Sequence, residues 1–184
     1  MKIPNKISEE LAEEVGWHIG DGSMNFYKNR GTLKGFYQLR GHIEDDKEHY
    51  EKRIKPLFEE LFNTTINIRE MPSTRVVGFQ IWNNDLINFK KKIGLTLGHK
   101  YEIPIPKIFL LKKNLIKAFI RGIFDTDGGI YLEKKNNKLY PRLYITTISF
   151  KLSEQLLKLF EDLEIRATRY SHLYIRGLDR KRAY

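Results

Sequence analysis

A chain of 184 residues has room for one domain with a sizeable core. It carries 33 Lys and Arg against 23 Asp and Glu, a net charge of +10, so nucleic acid is the first partner to consider and a membrane surface the second. No apolar run approaches the roughly 18 residues of a bilayer span and no signal peptide opens the chain; without cysteine there is no disulfide, thiolate zinc site or cysteine nucleophile. The expectation is an intracellular protein, with no membrane partner.

Residues 1–7 read as a leader. Ser8 is an N-cap, with Glu9 and Glu10 in the first turn where the helix dipole favours acids. A helix follows over 9–20, its apolar positions Leu11, Val15 and Ile19 on one buried face, and it stops at Asp21-Gly22. A basic stretch with Lys28, Arg30 and Lys34 reads as a strand and loose hairpin. FYQLRGHI at 36–43 alternates, with Tyr37, Leu39 and Ile43 on one side and Gln38, Arg40 and His42 on the other. Next come a helix over 45–62 kinked at Pro56, strands near 64–70 and 75–82, and a helix from Asn83 or Asn84 to about 93, ended by Gly94. Residues 98–109, with Gly98, Pro104 and Pro106, read as a linker.

The second half repeats the order. A helix over 112–126 ends at Asp127-Gly128-Gly129, then a strand, a turn at Asn136-Asn137, a strand in LYPRLYITTI and a helix. At a constant offset of 106, Ala12 falls on Ala118, Gly16 on Gly122, Gly20 on Thr126 and Asp21 on Asp127. Further along the offset drops to 102, placing Arg142 on Arg40, Tyr144 on His42, and LFEDL at 159–163 on LFEEL at 57–61. The drop predicts a second hairpin four residues shorter. This is an internal duplication, with halves 1–105 and 106–184; the second half is expected to lack its last strand and helix, leaving a sheet edge and an apolar face uncovered.

Small residues at every fourth position (Ala12 and Gly16, Ala118 and Gly122) let two helix backbones approach closely. Parallel packing along those stripes brings Asp21 and Asp127 together at two helix C-termini, where the macrodipole and their mutual repulsion both oppose them. A divalent cation between or beside them resolves that conflict, and Mg²⁺ takes one or two protein carboxylates with phosphate oxygens and waters. The residues therefore point to a metal-dependent phosphodiesterase centre. His18 reads as packed or surface, and Glu133-Lys134-Lys135 resembles another nuclease pattern in the wrong setting.

Helix, Asp-Gly, hairpins and helices, twice over, with EVGWHIGDG at 14–22 and IRGIFDTDG at 120–128, resemble the single-chain LAGLIDADG homing endonucleases. The resemblance implies an α+β fold of two αββαββα units about a pseudo-twofold axis, with two antiparallel sheets forming a saddle over double-stranded DNA and the two motif helices packed at the centre. It implies metal ligation by Asp21 and Asp127 with the backbone carbonyls of Gly20 and Thr126, Mg²⁺ as cofactor with Mn²⁺ substituting, and hydrolysis of both strands of a long site by a monomer. The alternative is a weak or inactive nucleic-acid binder of the same fold, an intron RNA maturase or a DNA-binding regulator. A free-standing or intron-encoded protein is the expectation, in the cytoplasm or nucleoid of a prokaryote or in an organelle.

The strand pattern agrees with a DNA-reading sheet, since a two-stranded ribbon fits the major groove and Arg and Gln read guanine and adenine. Gln38, Arg40 and His42 share one face, and Tyr140, Arg142, Tyr144 and Thr146 the equivalent one. Lys28, Arg30, Lys34, Lys134, Lys135 and Lys138 suit phosphate contacts, as do Arg166, Arg169 and Arg176 in the basic tail. For the basic group that family members place beside the metal, Gln38 and Arg40 are candidates, with Lys151 behind them.

Overall fold

The computed structural model describes the backbone of residues 1–176 and 179–183, and side chains as far as Ser171 except that of Asn29. Its centre is helix α1 (Glu9–Gly20), opened by Ser8, whose Oγ accepts from the Leu11 amide at 3.3 Å. The expected single buried face understates this helix. Every residue from Leu11 to Ile19 is buried, because α5 (Lys113–Asp127), the later helix α3 (Lys55–Phe62) and the first strand all pack on it. Its charged residues are therefore satisfied by distant partners. Glu13 takes Arg53 at 2.7 Å and also Arg121, while Glu14 accepts from the Tyr37 hydroxyl at 2.9 Å and from the buried Lys90. His18 is buried and stacks on Tyr37.

The small stripes meet as backbone against backbone. A β-carbon on Gly16 would lie 2.5 Å from the Phe119 carbonyl oxygen, and one on Gly122 2.1 Å from that of Glu13. Neither glycine has room for any side chain. Ala12 and Ala118 are buried in the same seam.

Strands β1 (Gly22–Asn29), β2 (Thr32–His42), β3 (Arg69–Met71) and β4 (Val76–Trp82) form an antiparallel sheet in the order β1-β2-β4-β3. The first hairpin is tight rather than loose: Arg30 and Gly31 both have positive φ, 47° and 83°, the geometry that matches strand twist in a two-residue turn. β5 (Gly128–Lys135) and β6 (Lys138–Ile145) make the second hairpin across Asn136-Asn137, with φ of 50° and 58°.

These pairings correct the strand alignment. Gly22 pairs with Leu39 and Gly128 with Ile145, so both hairpins have the same length and the offset stays at 106 through the second strand. Two backbone bonds show the same symmetry, Arg40 N–H to Asp21 C=O at 3.4 Å and Thr146 N–H to Asp127 C=O at 2.9 Å. Thr146, not Arg142, is thus the counterpart of Arg40. The four residues are lost later. In the first half β2 runs directly into α2 (Ile43–His49), a π turn (Tyr50–Ile54) and α3; in the second, a short loop at 146–149 leads to α6 (Phe150–Asp162). Four residues are two full pleats, so the face assignments survive.

Other expectations shift modestly. The helix with Pro56 changes winding through its π turn rather than breaking, which accommodates a residue without an N–H. The strand expected near 64–70 is shortened to β3, and α4 (Asn84–Lys92) is capped by Asn83 as its spacing predicts. Residues 98–109 are no loose linker: Ile103, Ile105 and Phe109 are buried, and the Ile105 amide donates to Gln155 Oε1 at 2.9 Å.

The second half is less enclosed. β7 (His172–Arg176) and β8 (Asp179–Ala183) pair with each other in a separate hairpin, and among the described residues no strand pairs with β6 except β5, where β4 pairs with β2 in the first half. Met24, Tyr37 and Leu39 on the inner face of the first hairpin are at most 2% exposed, whereas Ile130 and Leu143 at equivalent positions are 64% and 69% exposed. No helix among the described residues is long and apolar enough to cross a membrane.

Candidate metal centre and nucleic-acid face

Asp21 is the C-cap of α1 and Asp127 the last residue of α5, and the glycine seam between the helices brings them together. The Asp127 carboxyl carbon stands 3.4 Å from where a β-carbon on Gly20 would be, with Thr126 Oγ1 at 2.0 Å. Burial pushes the Asp21 carboxyl up to about 7, helped by the negative charges of Asp127 and Asp46 and opposed by Lys100 and by the Tyr50 hydroxyl, which donates to Oδ2 at 3.3 Å. Burial likewise pushes Asp127 up to about 6, with Lys100 opposing. Burial thus opposes ionisation of both acids at the junction of the two helices, and neighbouring negative charge adds to it at Asp21.

Lys100, which the sequence reading did not single out, is the basic residue that the fold brings to this junction. Its ammonium donates to the Ile19 carbonyl at 2.7 Å and to the Gly20 carbonyl, at the negative end of α1, and it attracts both aspartates. Burial holds that ammonium below the usual lysine range, the two acids pulling the other way. The ammonium rests on the carbonyl end of α1 within electrostatic reach of both carboxylates, and carbonyl and carboxylate oxygens are the donor types that suit a hard divalent ion. Among the described residues no three His, Cys, Asp or Glu side chains gather as a self-sufficient metal cage. A two-carboxylate site leaves positions for carbonyls, water and phosphate, as Mg²⁺ prefers. Tyr50, another unpredicted member, is presented by the π turn, a feature frequent at functional sites.

Pleat and burial sort the strand residues. Tyr37 and Leu39 point into the core, while Gln38 and Arg40 lie on the outer face, Gln38 donating to Ser23 Oγ at 2.8 Å. His42 stands at the N-cap of α2 with Nδ1 2.9 Å from Asp45, turned back onto its own helix rather than standing free on the face. On the second hairpin Tyr140, Arg142, Tyr144 and Thr146 are exposed, with Arg142 held by Glu133 at 2.5 Å. Lys28, Arg30, Lys34, Lys134, Lys135 and Lys138 are exposed around the two hairpin tips. Arg166 is exposed beyond α6; Arg169 lies 3.7 Å from Glu154 and 4.6 Å above the Phe150 ring, so it braces α6. The side chain of Arg176 lies outside the described residues. Lys151 is exposed in the first turn of α6. Ser23, Asn25, Arg69, Gln80 and Trp82 share the outer face through their pairings with β2 and β4 and were missed, although the alternation in β4 would have identified the last two.

Residues 114–184 match the LAGLIDADG-like domain family. Over most of its length the chain is 28% identical to parts of three archaeal proteins. The replication factor C small subunit of Methanocaldococcus jannaschii matches over 82% of this chain and 7% of that protein. The glutamine–fructose-6-phosphate aminotransferase of the same organism matches over 73% and 11%, and the DNA polymerase of Thermococcus hydrothermalis over 84% and 9%. The chain thus spans about a tenth of these relatives. Among solved structures, variants of the homing endonuclease I-DmoI superpose with a TM-score of 0.67 at 19% identity, over 95% of this chain and 82% of that one. I-DmoI in complex with DNA and Mn superposes at 0.65 and 20% identity, over 97% and 89%.

Proposed function

From a chain with a LAGLIDADG-like domain and the fold of the LAGLIDADG homing endonucleases, we propose a sequence-specific, divalent-metal-dependent DNA endonuclease that hydrolyses both strands of a long site, acting as a monomer. The carrying observation is the convergence of Asp21, Asp127 and the Lys100 ammonium on the carbonyl end of α1. The likeness to segments of a replication factor C small subunit, an aminotransferase and a DNA polymerase supports it. Those proteins share no activity by name, so the common segment is a module independent of its hosts, as a homing element is.

Asp21 and Asp127, with the carbonyls of Gly20 and Thr126, would hold Mg²⁺ or Mn²⁺. The ion supplies a Lewis acid for the phosphate and a water of lowered pKa. The rest falls to the chain. Tyr50 fixes one oxygen of Asp21 by its hydrogen bond and leaves the other for ligation. Lys100 offsets the charge that the phosphate brings to two carboxylates. Gln38 and Arg40, on the strand bonded to Asp21, orient water and phosphate beside it. The outer sheet faces position the duplex, and a net charge of +10 makes its binding steeply salt-dependent.

The test is cleavage of a plasmid library with Mg²⁺ against EDTA, using the unaltered chain, Asp21→Asn and Asp127→Asn. Linear product with Mg²⁺ only from the unaltered chain, and duplex binding from all three, is the expected outcome. Full cutting by either variant refutes the assignment. Duplex or intron RNA binding without any cutting makes the protein a binder of the same fold.

A further inference from the structure

The outer face of the first sheet carries an aromatic cluster that the metal centre does not use. Tyr27 on β1, Phe36 on β2 and Trp82 on β4 stand side by side, with ring centroids 5.8 Å (Tyr27–Phe36), 4.7 Å (Phe36–Trp82) and 6.1 Å (Tyr27–Trp82) apart. Trp82 is 53% exposed and Tyr27 49%. The core lies on the other side of this sheet, under Tyr37, Leu39 and Phe79, so the three rings pack on one another away from it, with Tyr27 and Trp82 largely exposed. Exposed contiguous apolar surface of this kind marks a binding face.

The neighbours say what it binds. Lys34 pairs with Tyr27 at the outer end, and Asn25, Gln38 and Gln80 line the side toward Asp21. In a major groove, amide side chains suit adenine and apolar groups suit the C5-methyl of its thymine partner. Amides, rings and a flanking cation on one pleated face therefore complement a run of A·T pairs bordered by phosphate. We propose that Tyr27, Phe36 and Trp82 read thymine methyl groups, a specificity element that rests on the DNA-saddle reading above. Its place in the site follows from strand geometry. β1 leaves the centre at Gly22, five residues before Tyr27, which is roughly 17 Å of strand. At about 3.4 Å per base pair, the methyls lie about five base pairs from the centre of the cut.

The experiment uses the duplex that the full chain selects from a random pool, with binding read by fluorescence anisotropy in EDTA so that nothing is cut. Each thymine is replaced in turn by deoxyuridine, which removes only the methyl. Binding should weaken about fourfold per buried methyl, at two or three positions centred about five base pairs out, and nowhere else on that half. Trp82→Ala and Tyr27→Ala, both checked for an unchanged circular dichroism spectrum, should bind thymine and deoxyuridine duplexes equally. A selected site without thymine there, equal binding of both duplexes by the unaltered chain, or retained discrimination in both variants overturns the inference alone. A chain that selects no duplex sequence overturns the saddle reading, and this inference with it.

Discussion

Gly122→Ala asks whether the glycine seam sets the metal centre. The added methyl would stand 2.1 Å from the Glu13 carbonyl oxygen and 3.0 Å from the Gly16 α-carbon, and both are helix backbone. Carbon–oxygen contacts settle at roughly 3.3 Å, so α1 and α5 must separate by about 1 Å at this level. Overpacking of this kind costs about 3 kcal/mol, at the upper end for side-chain insertions because backbone cannot rotate away. Alanine's better helix propensity returns about 1 kcal/mol. The net expectation is about 2 kcal/mol of destabilisation, read by urea unfolding. Asp127 lies five residues further on, roughly 7.5 Å along the axis, so the displacement reaches it nearly undiminished. An ångström of misplacement costs cleavage on the order of 100-fold, and Mn²⁺ binding followed by electron paramagnetic resonance should weaken with it. A variant that unfolds within about 0.5 kcal/mol of the parent, or one that is destabilised while metal affinity and cutting stay unchanged, would show that the seam does not set the metal centre.

Lys100→Met removes the resident cation, leaving the Gly20 carbonyl unpaired and the two carboxylates uncompensated; the metal-free protein should lose about 1–3 kcal/mol, and Mg²⁺ should restore most of it, as melting with and without EDTA will show. An unchanged EDTA melting temperature would count against the ammonium's role. Stability without metal should fall as pH rises from about 4 to 7, because Asp21 and Asp127, pushed up to about 7 and about 6, hold protons in the folded state that the unfolded chain has released. Asp21→Asn should flatten that slope, and a metal-free stability that instead rises over this range would contradict it. Cleavage should run the other way, increasing with pH through 6 to 7 at low Mg²⁺ and shifting to lower pH as Mg²⁺ is raised.

What could be read in the residues was what repeats locally. The Ala-Gly stripes and the Asp-Gly stops identified the two central helices and their junction, because a helix seam needs small residues at a fixed period and nothing else satisfies it. Alternation identified the faces of β2 and β6 even though their alignment was wrong, since an error of four residues is invisible to a period of two. The register itself was misread because Arg142 and Tyr144 resemble Arg40 and His42 in type, while ladder bonds, which decide register, belong to backbone atoms with no sequence of their own. Lys100 shows the deeper limit. It lies in a segment of Gly and Pro with no periodicity, about eighty residues from the carbonyls it bonds, and nothing local distinguishes it from Lys112 or Lys113. The burial of Glu13, Glu14 and Lys90 was equally hidden. A charge inside a core is stable only through partners brought from Arg53, Arg121 and Tyr37, so it appears only when the fold is closed. The two aspartates escaped this limit because their helices carry the reason for their meeting, the glycines, five residues before each acid.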